Sequence, residues 1–247
     1  MSSTSTLSAL SRNLAFSYRR IAERAGAPTF LDDESSMATQ RVDFVCGPNN
    51  VTLLRPVDGA ARVIRRADDL FGSRRYMVWT LWPVDLTQFG FVRSESPAMV
   101  CDPSGADELS ADISITEVLD ATSVEAFEGT LAAGFGYEQR NLSLAGMIGP
   151  NGPGDERLRF WLGRVHDRPV AVSFSAISDG YTGVYGVTTV PDARRQGYGG
   201  AMTRAAMSAA PDHPAALQAS AMGKPLYEAM GFREVARFEV WRPAPAQ

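Results

Sequence analysis

Residues 190–200 read VPDARRQGYGG. A run of β-forming residues, GVYGVTTV (183–190), leads into this stretch, and an alanine-rich helical pattern, GAMTRAAMSAA (200–210), follows it. Two arginines and then three glycines within four positions therefore sit on the seam between a strand and a helix. A helix start leaves about four backbone N–H groups without intrahelical partners, and the helix dipole gives them partial positive charge. Glycines there let an anion approach the backbone closely, and Arg194 and Arg195 add cationic charge beside it. One Gly-x-Gly alone suits a plain tight turn. Glycines, arginines and a β-to-α switch together point to a phosphate-bearing ligand.

Two common phosphate loops fail on this stretch. A Walker A loop ends in Gly-Lys-Ser/Thr, whereas Gly199 and Gly200 precede Ala201. A dinucleotide fingerprint asks for a third glycine where Met202 stands, and no acidic residue lies about 20 positions past the seam, only Gln218 and its neighbours. A nucleotide-binding protein is thus the weakest of the readings.

Outward from the seam, 157–190 reads as three strands with turns at HDRP (166–169) and SDGYTG (178–183). A helix at 199–210, a strand ALQAS (216–220), a helix KPLYEAMGF (224–232) and a last strand REVARFEVWRP (233–243) follow. Upstream lie a strand at 113–120, helical patterns around 123–135 and 137–147, and the loop GPNGPGDE (149–156). The order β-α-α-β-β-β-α-β-α-β is an α+β, mixed α/β pattern. Further upstream, 3–25 and 56–71 have helical spacing, DFVCG and VTLLR are short strands around GPNN, and YMVWTLW is a buried strand. The polar, turn-rich DPSGADELSAD (102–112) is the natural linker. It divides the chain into an N-terminal α/β region, 1–110, and a C-terminal domain, 111–247. DLTQFGFVRSESPAMVCDP (85–103) echoes LYEAMGFREVARFEVWRP (226–243), each running helix, Gly-Phe, strand, Pro. The echo aligns Leu86 with Tyr227, and the glycine-rich seam has no counterpart in 1–110. The first half reads as a shrunken, structural copy.

Composition sets the bounds. The chain has 247 residues, 45% hydrophobic and 21% charged, with net charge −4, ordinary for a soluble globular protein and without the basic balance of a nucleic-acid binder. Lys224 is the only lysine among 24 cationic residues. Cys46 and Cys101 read as unpaired cytosolic thiols. His166 and His213 stand alone, and no Cys-x-x-Cys occurs, so no metal spacing exists. Residues 1–23 lack the apolar block of a signal peptide, and no apolar run reaches the ~18 residues that span a bilayer. The expectation is a cytoplasmic protein with neither nucleic-acid nor membrane partner.

Arg194-Arg195-Gln196-Gly197-Tyr198-Gly199 resembles the Arg/Gln-x-x-Gly-x-Gly/Ala signature of the Gcn5-related N-acetyltransferases, the GNAT superfamily. GVTTVPDARRQGYGGAMTRAAM is similar to the family's strand, pyrophosphate loop and helix. ALQASAMGKPLYEAMGF is similar to its next strand and helix, with the terminal Tyr-x-x-x-Gly-Phe. The resemblance covers about 113–247, and WTLWPVDLTQFGFVRSESPAMV (79–100) resembles the front part of longer bacterial members.

The resemblance implies a central mixed sheet flanked by helices, with two parallel strands that splay apart around acetyl-CoA. Val187, Thr188 and Thr189 would pair with the pantetheine arm through their backbone. The N–H groups of Arg195, Gln196, Gly197, Tyr198, Gly199 and Gly200 would wrap the pyrophosphate, Ser220 would lie near the thioester, and Tyr227 would be the general acid. Read by itself, Tyr227 suits packing beside Met230 and Phe232 better than catalysis, and Lys224 suits a solvated surface. The implied activity is transfer of an acetyl group to a primary amine of a small molecule or peptide, by direct attack in a ternary complex, and the family analogy allows a homodimer. One departure stands out. Where many members carry a glutamate on the flanking strands, this chain has Tyr185 and Gln218. Asp179, Tyr181, Glu138 and His166 are the remaining candidates for a base, and the departure keeps open a non-catalytic acyl-CoA-binding protein.

Overall fold

The computed structural model describes residues 3–24, 26, 30–32, 35–39, 49–72, 75–103, 112–136, 148 and 155–244. In chain order the elements are α1 (Ser3–Arg24), β1 (Phe30–Asp32), β2 (Ser36–Thr39), β3 (Asn50–Leu53), α2 (Ala60–Phe71), β4 (Met77–Thr80) and β5 (Phe91–Cys101). Then come β6 (Ser114–Glu117), α3 (Ala121–Phe135), β7 (Leu158–Val165), β8 (Arg168–Ser178), β9 (Tyr181–Thr189), α4 (Tyr198–Met207), β10 (Ala215–Gln218), α5 (Lys224–Ala229) and β11 (Arg233–Pro243). The expected strand DFVCG, the helix over 137–147, and most of the linker and of the loop GPNGPGDE lie outside the described residues.

Local chemistry sets the boundaries. The helix expected from residue 56 starts at Ala60, because Gly59 has φ 90°, outside helical space. Asp120 caps α3: its carboxylate accepts the Ser123 N–H at 2.8 Å, and the Ser123 hydroxyl accepts the Asp120 N–H at 3.1 Å. The β7–β8 and β8–β9 turns place His166 and Asp167, then Asp179 and Gly180, at positive φ. Two such residues in succession match the right-handed twist of a tight hairpin.

All eleven described strands form one sheet, ordered β1-β2-β3-β4-β11-β5-β10-β9-β8-β7-β6. From β1 inward the pairings run antiparallel, antiparallel, parallel (β3 with β4), antiparallel (β4 with β11). From β7 inward they run the same way, with β9 parallel to β10 and β10 antiparallel to β5. At the centre β5 and β11 pair antiparallel, from Phe91↔Pro243 to Arg233↔Val100. Each half of the chain thus lends its last strand to the other half. The sequence echo falls on these exchanged strands. The Phe91 N–H reaches the Leu86 carbonyl at 3.3 Å, as the Phe232 N–H reaches that of Tyr227 at 2.9 Å, past left-handed Gly90 and Gly231.

Side-chain alternation assigns the layers. Met77 packs with Leu10 and Leu14 of α1, whereas Val78 packs with Val63 and Ile64 of α2. Val184 packs toward Ala206 of α4 and Tyr227 of α5; Phe174 and Tyr185 pack toward Phe127 and Leu131 of α3. One face therefore carries α1 and α3, and the other carries α2, α4 and α5. Helix α1 reaches the C-terminal half directly. Asn13 donates to the carbonyls of Ala176 and Ser178, Arg12 pairs with Asp179, and Arg20 with Asp155.

Candidate functional site

The parallel strands β9 and β10 pair only at Thr182↔Ala215 and Gly183↔Ala216. Beyond that point β10 stays with β5, through Leu217↔Met99 and Gln218↔Ala98, while β9 stays with β8. A bulge turns β9 away: Gly186 and Val187 fall between the pairs Phe174↔Tyr185 and Val172↔Thr188, opposite Ser173. Gly186 makes this bend at φ 60°, and a Cβ there would sit 2.8 Å from the Phe174 ring. The strands part as a wedge, and the edge of β9 along Val187–Thr189 leaves its ladder with β10.

Past Thr189 the chain makes a 3-10 turn at Pro191–Ala193 and enters α4. Arg195 (φ 64°) and Gly197 (φ 82°) are both left-handed. For arginine that conformation costs of order 1 kcal/mol and is a form of strain held at binding sites. Among the described residues the N–H groups of Arg195 through Gly199 meet no backbone acceptor, whereas those of Gly200 and Ala201 both reach the Gly197 carbonyl, at 3.1 and 3.2 Å. Of the six N–H groups read from the sequence, that of Gly200 has this intra-loop partner. Arg194 also braces the loop. Its Nε donates to the Thr189 carbonyl at 3.1 Å, and its Nη2 to the Gly134 carbonyl at 2.9 Å, binding the loop to the end of α3.

A cavity of about 550 Å³ lies between the wedge, this loop and α5. Of the predicted residues, Val187, Thr188, Thr189, Arg195, Gly197, Tyr198, Gly199, Gly200, Ser220 and Tyr227 line it, and Gln196 does not. Gly134, Phe135, Ala193, Arg194, Met222, Gly223 and Leu226 complete the walls. Phe135 and Met222 are exposed apolar side chains. Nothing in the sequence marked them, since both end otherwise unremarkable helical or turn segments.

Tyr227 is 8% exposed, with its ring 5.7 Å from that of Phe232. Its packing and its place in the cavity wall are therefore compatible. Burial pushes its phenol up to about 12, and a hydrogen bond with Thr203 draws it partly back. Ser220 is an exposed residue at the mouth whose hydroxyl oxygen accepts the Gly223 N–H at 3.0 Å, ahead of α5. Its own O–H remains available to a ligand. Lys224 pairs with Glu234 at 2.7 Å and does not line the cavity.

The base candidates scatter. His166 sits in the β7–β8 turn, and Asp179 in the β8–β9 turn, paired with Arg12. The Tyr181 carbonyl accepts from Asn13, and Glu138 lies outside the described residues. None of the described candidates lines the cavity, and no carboxylate does among the described residues. Beneath the wedge, on the α1 face, Tyr185 donates its O–H to Asn13 Oδ1 at 2.6 Å. Burial holds that phenol far above its usual range, opposed by hydrogen bonds from Gln218 and Ser17. Cys101 is a free buried thiol, and Cys46 lies outside the described residues. Among the described residues no cluster of His, Cys, Asp and Glu is arranged to hold a metal ion, and no helix is long and apolar enough to cross a membrane.

No family model and no curated protein matches the chain. Solved structures do. A GCN5-related N-acetyltransferase from Kribbella flavida is similar over 96% of each chain, with TM-score 0.69 and 18% identity. A putative GNAT-family acetyltransferase from Novosphingobium aromaticivorans is similar over 95% of this chain and 99% of its own, with TM-score 0.61 and 15% identity. A GCN5-related N-acetyltransferase-like protein from Streptococcus suis is similar over 96% and 99%, with TM-score 0.55 and 14% identity. The likeness spans both halves of the chain.

Proposed function

We propose that this chain, whose fold is that of the GCN5-related N-acetyltransferases, is an acetyl-CoA-dependent N-acetyltransferase acting on a primary amine of a small molecule or peptide. The observation that carries the reading is one cavity bounded by three features: the β9 edge at Val187–Thr189, the donor-rich start of α4, and the phenol of Tyr227. An amide-bearing arm suits the first, since it can add to the parted ladder as a strand would. A pyrophosphate suits the second. A sulfur leaving group suits the third.

In the reaction the amine lone pair attacks the thioester carbon, and the C–S bond breaks from the resulting tetrahedral adduct. The proton lost by nitrogen leaves through solvent, and one proton is gained by sulfur. A thiol has a pKa near 8.5, so complete transfer from a phenol near 12 runs uphill by about 5 kcal/mol. Tyr227 thus serves by donating a hydrogen bond to sulfur as charge develops there, with the final proton drawn from solvent. This sharpens a general-acid role into transition-state stabilisation by a neutral donor.

A second reading, an acyl-CoA-binding protein without catalysis, draws on the lack of a carboxylate among the described lining residues. Acetyl-CoA with a panel of amines and a free-thiol readout separates the two. Amine-dependent thiol release supports the enzyme. Binding of acetyl-CoA with no release for any amine favours the second reading.

A further inference from the structure

Four large apolar side chains are exposed among the described residues: Val92, Leu119, Phe135 and Met222. Two of them, Phe135 and Met222, line the one cavity described above, and Met222 is the most exposed of the four at 77%. Phe135 ends α3, and Met222 stands between the end of β10 and the start of α5. Apolar surface left in water at a cavity mouth is surface that an occupant covers. The turn that carries Met222 is fixed. The Ser220 carbonyl accepts the N–H groups of Gly223 and Lys224 at 3.1 and 2.9 Å, and Ser220 Oγ accepts that of Gly223 as well. A Cβ on Gly223 would lie 3.0 Å from the Tyr227 ring, so the turn packs closely on α5.

Sulfur gives Met222 a chemistry that the rest of the apolar wall lacks. A thioether is oxidised by peroxides, and access decides which methionines react. Met37, Met77, Met99, Met202 and Met230 are buried, at 7% exposure or less, and Met207 is partly buried. Cys101, a competing sulfur, is 1% exposed. In the step, a sulfur lone pair attacks one oxygen of hydrogen peroxide and the O–O bond breaks. The second oxygen leaves as hydroxide, takes the proton from the first, and departs as water. Sulfur is oxidised, peroxide is reduced, and a polar S=O group replaces the apolar thioether at the cavity mouth.

We propose that Met222 is an oxidation site gated by the ligand of the cavity: hydrogen peroxide converts it to the sulfoxide in the unliganded protein, bound acetyl-CoA shields it, and the sulfoxide weakens later binding. The proposal rests on the acetyl-CoA reading of the cavity. Peroxide then disables the protein when acetyl-CoA is scarce and spares it when acetyl-CoA is abundant.

The test treats the full chain with hydrogen peroxide, with and without saturating acetyl-CoA, and maps each methionine by peptide mass. Met222 is expected to oxidise ahead of Met37, Met77, Met99, Met202 and Met230, and acetyl-CoA should slow Met222 selectively. Acetyl-CoA Kd is then measured before and after treatment, each protein being compared with itself. The unaltered chain should lose affinity by about fourfold or more, the worth of one methylene-sized apolar contact. Met222→Leu keeps an apolar side chain without sulfur and should show no loss on treatment. Met222→Gln, with a polar oxygen in place of the thioether, should bind more weakly than Met222→Leu without any peroxide. If acetyl-CoA binds but leaves the oxidation of Met222 unslowed, or if Met222→Leu loses affinity as the unaltered chain does, this proposal falls and the cofactor reading stands. If the untreated chain gains no thermal stability from acetyl-CoA, the two fall together.

Discussion

Arg194 reaches sixty residues back along the chain to the Gly134 carbonyl, 2.9 Å from its Nη2. The same side chain holds the Thr189 carbonyl through Nε. Its planar fork therefore joins the end of β9 and the end of α3 across the rim of the cavity. Arg194→Lys keeps the charge and loses the fork. We expect that variant to weaken acetyl-CoA binding nearly as much as Arg194→Ala, and both to lower stability by about 1 kcal/mol. Isothermal titration and denaturant melts measure these. Full affinity in the lysine variant and not in the alanine variant would mean that charge alone matters.

Gly134 sits against Thr188 with no room for a side chain. A Cβ there would lie 2.5 Å from Thr188 Oγ1 and 2.6 Å from Cγ2. Gly134→Ala should cost about 1–3 kcal/mol by overpacking. Adding Thr188→Ala should recover part of the loss, since it removes both clashing atoms. A double-mutant cycle of melting curves reports the coupling; strict additivity would show that α3 and β9 relax independently.

Tyr227→Phe should lower kcat by about 10²-fold while acetyl-CoA Kd is retained. The raised phenol also predicts a pH dependence. With its folded pKa near 12, Tyr227 stays neutral across the working range and contributes no falling limb below about pH 11. Because the unfolded phenol ionises near 10, the stability linked to this group is complete below about pH 10 and declines as pH rises further. A falling limb near pH 8 that vanishes in Tyr227→Phe would contradict this assignment.

Gly197 precedes α4 at φ 82°. Gly197→Val should cost about 1–3 kcal/mol in backbone strain and displace the donors that face the anion. We expect acetyl-CoA affinity to fall by more than the melting temperature alone accounts for. Ligand-induced thermal stabilisation, about 2.7 kcal/mol at a hundredfold excess over Kd, should shrink in this variant at equal acetyl-CoA. Unchanged stabilisation would remove the loop from the binding site.

The site was readable where chemistry is local. The glycines of the seam, Tyr227 five residues ahead of Phe232, and the strand entering the loop are contiguous features, and the cavity gathers them. What escaped the sequence depends on distant pairing. No periodicity announces that β5 leaves its own half to lie between β10 and β11, or that Asn13 meets Tyr185 at a separation of 172 residues. Arg194 read as a cation beside the loop because its type and position fit, and its bond to the Gly134 carbonyl, sixty residues away, could not be read from the sequence. Ser220, which lines the cavity, also accepts the Gly223 N–H ahead of α5, a contact the sequence did not announce.

The exchange of final strands also governs how the chain is made. On a ribosome, β4 emerges well before its neighbour β11, which spans Arg233–Pro243. Likewise β5 waits for both β10 and β11. Neither half can close its sheet until β11 has emerged, and sheet edges stay open until then. The nascent N-terminal half is therefore a natural client for a chaperone, and nonsense mutations just short of Arg233 should yield aggregation rather than a folded fragment.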